Sequence, residues 1–325
     1  MRDEAGEPAG KSALLPAYKR LSRRAEALIA EAYLAGMNTR RVPRALASLF
    51  AGQVGKDVVS RAWQRTRSAW EAWQKRDLTD EDSVRLILDG TVVKVRLDRK
   101  AAAISLLIVL GVRRDGPKVV LAIENMGGES EAGWRAVLDD LLARGLAKPE
   151  LVIPGSSPRT DGGKGLEAAL ASLWADVPVQ RCTVPKERNL LGHAPQHRHD
   201  EIKADFNDMM HAKRADQVLS KRKLFLAKWK LRCQPVANSL EEAGLRLFTF
   251  LRDPPEQWRS LRTTNAIERR HEEFKRRMKT QCLLPCAETA AMLLWALLAS
   301  GQITMRRVDG WPTPDRSPTD LDLAA

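Results

Sequence analysis

Three carboxylates stand at positions that suit metal-assisted chemistry on a phosphodiester. Asp89 interrupts the apolar run LILDGTVV, Asp161 follows the apolar run PELVIPG, and Glu268 lies in TTNAIE before a basic segment. A charged side chain on a central strand costs several kcal/mol of stability unless it is paired or binds a metal. Carboxylate oxygens around an open polar pocket are ligands that Mg²⁺ prefers. The three residues are therefore candidate catalytic residues and candidate ligands of Mg²⁺ or Mn²⁺.

Such a site would carry out phosphoryl-transfer chemistry. Two divalent ions held close together activate a water molecule or a 3′-hydroxyl group and stabilise the leaving oxygen of the phosphodiester. The lysines and arginines that surround Glu268 would hold the DNA backbone. This chemistry explains why one acidic residue stands among so many basic ones.

Each carboxylate also has an ordinary structural interpretation. Asn265 and Glu268 have the spacing of a helix capping box. The Asp-Gly pairs that begin at positions 89 and 161 are of a kind that commonly forms turns. No single position decides between these interpretations, and only their joint placement in the predicted elements favours a metal site.

The composition indicates a globular and strongly basic protein. The 325 residues carry 54 Lys and Arg against 41 Asp and Glu, a formal net charge of +13. This surplus favours binding to nucleic acid, although a basic protein that is merely soluble has the same signature. The four cysteines form no C-x-x-C pair, and no apolar run is long enough for a membrane span. We expect a cytoplasmic, nucleoid-associated bacterial protein with reduced thiols and no membrane partner.

Between positions 83 and 184 the pattern is that of an α/β domain. Three antiparallel strands are predicted over VRLILDGTVVKVRL, AAAISLLIVLGVRRDG and KVVLAIENM, with a turn at RDG. A helix, a strand, a second helix and a further strand follow over EAGWRAVLDDLLARGL, PELVIPG, GGKGLEAALASLW and VPVQRCTV. The order β-β-β-α-β-α-β is that of a ribonuclease H-like mixed sheet with helices on both faces. Its first and fourth strands are neighbours, which would bring Asp89 and Asp161 together.

Residues 1–77 predict helices. The stretch NTRRVPRALASLF, the turn AGQVG and the basic stretch KDVVSRAWQRTRSAWEAWQKR resemble a helix-turn-helix, whose second helix enters the major groove of DNA. A plain helical bundle with a solvated basic face fits the same pattern. In the first interpretation, the residues presented to DNA are Lys56, Ser60, Arg61 and Gln64.

The second half of the chain divides into three predicted parts. Residues 185–255 carry no strand pattern and predict an all-helical insertion that interrupts the core formed by 83–184 and 256–311. Residues 312–325 have the Pro, Asp and Ser content of a disordered tail. The basic residues predicted to contact DNA in this half are Arg188, Arg262, Arg269, Arg270, Lys275, Arg276 and Arg277.

Four stretches resemble the bacterial Mutator-type insertion-sequence transposases, a family of DDE enzymes. They are LILDGTVVKVRL with LLIVLGVRRDGPK, GGESEAGWRAVLDDLLARGL, DGGKGLEAAL with VQRCTVPKERNLL, and LRTTNAIERRHEEFKRR. The most specific is TTNAIE followed by a basic helix. The resemblance runs from about Asn38 to about Trp311 and implies that Asp89, Asp161 and Glu268 are the metal-binding catalytic triad.

The resemblance also implies a reaction and its partners. The reaction is hydrolysis at the transposon ends, followed by attack of the freed 3′-hydroxyl on a target strand. The implied cofactor is Mg²⁺ or Mn²⁺, with two ions per active site. The implied partners are double-stranded DNA, as transposon ends and target, and further copies of the chain in a homodimer or higher oligomer on paired ends.

The chain departs from the family pattern at three places. Pro185 stands where the family usually has the histidine of Cys-x-x-His after Cys182, and His271 stands where asparagine is common. The residues SSPRT lengthen the loop before Asp161. Two alternatives therefore stay open: an inactive or truncated relic that only binds DNA, and a ribonuclease H-like nuclease that cuts without strand transfer.

Overall fold

The computed structural model describes residues 56–97, 100–128, 130–155, 162–263, 272, 274–275 and 288–299. Over these residues the chain is a mixed α/β protein with a four-stranded sheet and nine α-helices. The strands are β1 (Ser83–Leu97), β2 (Lys100–Arg113), β3 (Lys118–Asn125) and β4 (Leu151–Pro154). The helices are α1 (Lys56–Gln74), α2 (Glu131–Ala143), α3 (Gly162–Leu173), α4 (Thr183–Gly192), α5 (His199–Met210), α6 (Ala215–Arg232), α7 (Gln234–Ala243), α8 (Trp258–Leu261) and α9 (Glu288–Ala299).

The sheet has the order β3-β2-β1-β4. The first three strands pair antiparallel, and β4 pairs parallel to β1. The predicted turn at RDG is confirmed, since Gly116 there has a φ of 94°, which glycine adopts without a steric penalty. Strands β3 and β4 run in the same direction, and the connection between them contains α2, as is usual for a crossover between parallel strands.

The predicted strand over VPVQRCTV is wrong in length, because only Val179 pairs with the sheet, in a single parallel bridge to Val152. The Val152 N–H donates to the Pro178 carbonyl at 3.0 Å, and the Gln180 N–H donates to the Val152 carbonyl at 2.8 Å. The next bond of a parallel ladder would need an N–H at Pro154, which proline lacks. The pairing therefore stops, and the chain enters α4 at Thr183.

The two faces of the sheet pack against different layers. Leu86 and Leu88 of β1 belong to a cluster with the buried residues of α2 and α3. We call this side the helix-pair face. Ile87 and Val93, on the opposite side, belong to a cluster with the buried residues of α5–α9. We call that side the Asp89 face, because alternation along β1 places Asp89 on it.

Helices also fill the chain from Thr183 to Leu261, where all residues are described and none lies in a strand. Short 3₁₀ turns connect α4 to α5 and α7 to α8. Trp229 of α6 and Phe206 of α5 are fully buried between these helices. The helices of this layer cover the Asp89 face of the sheet.

The tryptophans of α1 pack rather than project. Trp70 and Trp73 stack with ring centroids 5.0 Å apart, and Trp295 of α9 lies 5.7 Å from Trp70. Trp70 is buried in the core, and Trp73 is half-buried against the same cluster. The rest of the predicted helix-turn-helix, before Lys56, lies outside the described residues.

Candidate catalytic face

Asp89 is a buried carboxylate in the middle of an apolar surface. Its residue exposure is 6%. In the register of β1 with β2 it stands opposite Ile108, which is buried as well. The neighbours on the same side of β1 are Ile87 and Thr91. An Asp at this position weakens the core by desolvation unless a ligand or partner uses its charge.

Gly155 gives the Asp89 carboxylate its space. The Gly155 N–H donates to the carbonyl of Leu88 at 2.5 Å, which holds the end of β4 directly beside β1. A Cβ atom at position 155 would lie 2.2 Å from Oδ1 of Asp89, a distance that real Cβ atoms do not adopt. The sheet therefore accepts only glycine here while Asp89 keeps its position.

Asp161 lies outside the described residues, but the chain on both sides of it is described. Gly155, which contacts Asp89, stands six positions before it. Gly162, the first residue of α3, follows it directly. The prediction that Asp161 meets Asp89 stays a prediction. Five residues separate Asp161 from Gly155, the residue beside Asp89.

Glu268 also lies outside the described residues, and again both flanks are anchored. Leu261 and Phe274 are buried in the cluster of the Asp89 face, seven positions before and six positions after Glu268. The N–H and the hydroxyl of Thr183 both donate to the carbonyl of Arg262, at 2.9 and 3.1 Å. The first turn of α4 thus holds the chain six positions ahead of Glu268.

Arg262, predicted as a DNA contact, is buried. Its guanidinium donates to the carbonyl of Met210 and lies over the ring of Phe250, 5.6 Å from the centroid. Burial lowers the pKa of Arg262 from its ordinary value. In this arrangement the side chain ties the end of α5 to the segment before Glu268, so its visible role is structural.

A buried ion pair joins the sheet to the helical layer. Arg85 of β1 donates to Oδ1 of Asp253 at 2.7 Å and to Oε1 of Gln257 at 2.6 Å. Both charged side chains are 9% exposed. Burial lowers the pKa of Arg85 and raises the pKa of Asp253, and in each case the partner's charge offsets part of the effect. The sequence pattern did not predict this contact, although an Arg between apolar residues of a central strand indicates a buried partner.

The position of the missing family histidine is part of α4. Cys182 is the N-cap residue of this helix and is buried. Pro185 is buried in the first turn, where a helix tolerates a residue without an N–H. Lys186, the next residue, donates to Oγ of Ser239 at 3.1 Å and to Oε2 of Glu242 at 2.8 Å. This lysine lowers the pKa of Glu242 and fastens α4 to α7.

The remaining predicted DNA contacts fall into three groups: exposed residues, one half-buried residue and residues outside the described part of the chain. Ser60, Arg61 and Gln64 are exposed on α1, which begins at Lys56, and Arg188 is exposed on α4. Lys275 is half-buried, with its Nζ 3.9 Å from Oε1 of Glu272. Outside the described residues are Arg269, Arg270, Arg276 and Arg277. None of these DNA contacts is tested by the fold, and all stay predictions.

Other groups in the described part of the chain add no second site. No cluster of three or more His, Cys, Asp or Glu residues there could hold a metal ion. His199 contacts the carbonyl of Ala194 at 2.9 Å through Nε2, while His193 and His197 are exposed. None of the described helices combines the length and the apolar character that a bilayer crossing demands.

Comparison with known proteins places this architecture. Residues 2–305 match the family model described as "Transposase, Mutator family". The chain is 30% identical over 284 residues to the transposase for insertion sequence element ISRM5 of Rhizobium meliloti (strain 1021), covering 87% of this chain and 70% of that protein. It is 30% identical over 285 residues to the transposase for IS905 of Lactococcus lactis subsp. lactis (strain IL1403), covering 88% and 71%.

A third relative is the transposase for IS256 in transposon Tn4001 of Staphylococcus aureus. It is 28% identical over 290 residues, which is 86% of this chain and 72% of that protein. The match of the family model extends over nearly the whole sequence and includes the segments that carry Asp89, Asp161 and Glu268. The chain belongs to the Mutator family of transposases.

Proposed function

We propose that this chain is a DDE transposase that binds the terminal repeats of an insertion sequence, cleaves DNA strands at its ends and transfers them to target DNA. The observation that carries the proposal is the environment of Asp89. It is a carboxylate buried on an apolar sheet face, beside a glycine that the close approach of its side chain requires. A protein selected for stability alone would place an apolar side chain there.

The strand order supports a ribonuclease H-like core. The sheet order β3-β2-β1-β4, with a parallel bridge from Val152 to Val179 on the outer side of β4, fits the arrangement expected from the sequence. In it, β1 and β4 are direct neighbours. The segments that flank Asp161 and Glu268 are anchored to β4, α3, α4 and the apolar cluster of the Asp89 face.

A divalent cation fits the donor set at this face. Asp89 supplies carboxylate oxygens, the ligand type that Mg²⁺ prefers, on a buried face of the sheet. Asp161 and Glu268 would complete the set for two Mg²⁺ or Mn²⁺ ions. When bound, such ions lower the pKa of a water molecule and stabilise developing charge on phosphate oxygens. The chain's own part is to hold the three carboxylates, to exclude bulk water with the helical layer and to orient DNA.

The DNA partner follows from charge and exposure. The net charge of +13 attracts a polyanion, and Arg61 and Arg188 are exposed. The α1 helix would present Ser60, Arg61 and Gln64 to the terminal repeat, with Lys56 at its start. Because the reaction joins two ends to one target, we infer a homodimer or higher oligomer on paired ends, acting on the nucleoid in the cytoplasm.

The test is strand cleavage of DNA that carries the element's own ends, with Mg²⁺ or Mn²⁺. Wild type should nick this DNA, whereas Asp89→Asn and Glu268→Gln should abolish nicking and keep end binding. Asp82→Asn and Glu272→Gln are matched controls, because both carboxylates are exposed and lie near the tested ones in sequence. Both controls should cleave as wild type does.

The same experiment separates the alternatives. Tight, salt-sensitive binding without nicking by wild type would identify a DNA-binding relic, and nicking without joining to a second DNA would identify a nuclease. Loss of binding together with cleavage in Glu268→Gln would favour a helix-capping role for that residue. In the active complex, one copy of the chain per DNA end with no pairing of ends would contradict the oligomer.

A further inference from the structure

Thr91 is a buried hydroxyl that the fold does not use. Its residue exposure is 4%, and its Oγ1 is buried without a hydrogen-bond partner. It follows Asp89 by two positions on β1, and the register with β2 shows no bulge between these residues. Successive residues of a strand point to opposite faces, so Thr91 shares the Asp89 face.

The neighbours of Thr91 on this face are apolar. It stands opposite Leu106 of β2, which is fully buried, and the next residue of β1 on the same side is Val93, which is buried in the same cluster. On the other side of β1, the ladder with β4 ends at the pair Leu88 and Pro154. No described strand therefore offers the hydroxyl a backbone partner at this level.

Such an arrangement is costly for folding. A buried hydroxyl left without a partner destabilises the folded state, and valine has nearly the same shape and an equally good strand propensity. Folding alone would favour valine, which is the type of residue found at position 93 of the same strand. The hydroxyl is therefore best explained by a partner that belongs to the working site and not to the fold.

We propose that Thr91 is a positioning residue of the catalytic face, whose hydroxyl donates a hydrogen bond to the hydration shell of the divalent cation held by Asp89. The inference rests on the proposed function. Side chains two positions apart on one strand face stand about 7 Å from each other, too far for a direct bond. That spacing suits two groups that share one hydrated ion, since Mg²⁺ keeps several of its waters in protein sites.

The test compares Thr91→Val with Thr91→Ser in the full-length chain. Mn²⁺ affinity is measured by electron paramagnetic resonance, and thermal unfolding is measured without metal. Removing a group that orients the ligands of a metal weakens metal affinity or activity by about 10–100-fold. Thr91→Val should lose affinity for Mn²⁺ by about this factor, with an unfolding temperature equal to or above that of wild type. Thr91→Ser, which keeps the hydroxyl, should bind Mn²⁺ with nearly the affinity of wild type.

Thr249→Val is the matched control. The Thr249 hydroxyl is also buried, but it donates to the carbonyl of Val179 at 2.8 Å. Its loss should lower the unfolding temperature and leave Mn²⁺ affinity unchanged, which is the opposite pattern to Thr91→Val. The contrast distinguishes a hydroxyl used by the site from a hydroxyl used by the fold.

Two outcomes would overturn the inference about Thr91. Unchanged Mn²⁺ affinity in Thr91→Val overturns the inference, and so does a lowered unfolding temperature without metal, because it would show that the fold uses the hydroxyl. Asp89→Asn separates this failure from failure of the proposed function. If Asp89→Asn loses Mn²⁺ binding and Thr91→Val does not, only the inference about Thr91 fails. If neither variant changes Mn²⁺ binding, the metal site itself is refuted.

Discussion

The two faces of one sheet are built by different rules. On the helix-pair face, β1 contributes Leu86 and Leu88, which pack against the apolar residues of α2 and α3. On the Asp89 face, the same strand contributes Arg85, Asp89 and Thr91 among apolar residues. Buried polar groups weaken a core unless they are paired or bind a ligand. At Leu86 and Leu88 the helix-pair side of β1 is thus apolar, whereas its Asp89 side combines an apolar cluster with buried polar side chains.

Two ion pairs between arginine and a carboxylate differ in burial. Arg85 and Asp253 are each 9% exposed, between the sheet and the helical layer. Arg113 and Glu81, at the end of β2, are 45% and 10% exposed. The pKa of Asp253 is raised by burial, whereas the pKa of Glu81 is lowered, chiefly by the hydrogen bond from Arg113. The contributions of these two carboxylates to stability therefore change with pH in opposite directions.

The largest effect on stability is expected from breaking the buried pair. Asp253→Ala should lower the free energy of unfolding by about 3–5 kcal/mol, because Arg85 would keep a buried charge without its carboxylate. The double variant Arg85→Met with Asp253→Leu should recover most of this loss. Urea denaturation followed by tryptophan fluorescence measures both. If the double variant is as unstable as Asp253→Ala, the unpaired charge of Arg85 is not the cause of the loss of stability.

The next effect tests the helix-pair face. Leu138→Ala, at a fully buried position of α2, should cost about 2–5 kcal/mol through lost burial and a cavity. Because its cluster lies on the side of the sheet opposite Asp89, cleavage per folded molecule should stay at the wild-type level. The two quantities are obtained from urea denaturation and from cleavage assays normalised to the folded fraction. A loss of cleavage in the fully folded variant would mean that the two faces are coupled.

The smallest effect is expected from the pair of Arg113 and Glu81, in which the arginine is exposed. Glu81→Gln should cost about 0.2–1 kcal/mol at neutral pH. Since the folded-state pKa of Glu81 is lowered, its stabilisation is present above the ordinary pKa of glutamate and is lost as the pH falls through the lowered value. The difference between wild type and Glu81→Gln should therefore shrink in urea denaturation at acidic pH. A difference that grows on acidification would show that the sign is wrong.

Asp253 should behave in the opposite way. Its pKa in the folded state is raised, so its contribution to stability is fully present below the ordinary pKa of aspartate. That contribution is lost as the pH rises through the raised value. When the stability of each variant relative to wild type is measured over one pH series, Asp253 and Glu81 should give pH dependences of opposite sign.

Local patterns in the sequence predicted most of the elements. The alternation along 84–97 and the turn at RDG predicted β1 to β3, and the helical spacing in EAGWRAVLDD predicted α2. The last strand was overpredicted, because its apolar content could not reveal that Pro154 on the neighbouring strand ends the ladder. The sequence around Val179 does not show that Pro154 on the neighbouring strand lacks the N–H that the next hydrogen bond would need.

The candidate site could be predicted only in part. Asp89 was visible because a carboxylate in an apolar strand is unusual, whereas Thr91 was not, since threonine is common in strands. The pair of Arg85 and Asp253 spans 168 positions, and no local spacing encodes such a contact. The burial of Arg262 was missed for the same reason, because its partner Met210 lies 52 positions away.

The division of the sheet also sets an order of assembly during synthesis. Every buried residue of the helix-pair cluster lies between Leu78 and Val177, so that face is complete in sequence before the helical layer is made. The cluster on the Asp89 face draws on residues from Trp70 to Leu297 and must wait for nearly the whole chain. Closing contacts over such distances is slow because of loop entropy. A nascent chain can therefore pack the helix-pair face early, and it covers the Asp89 face last.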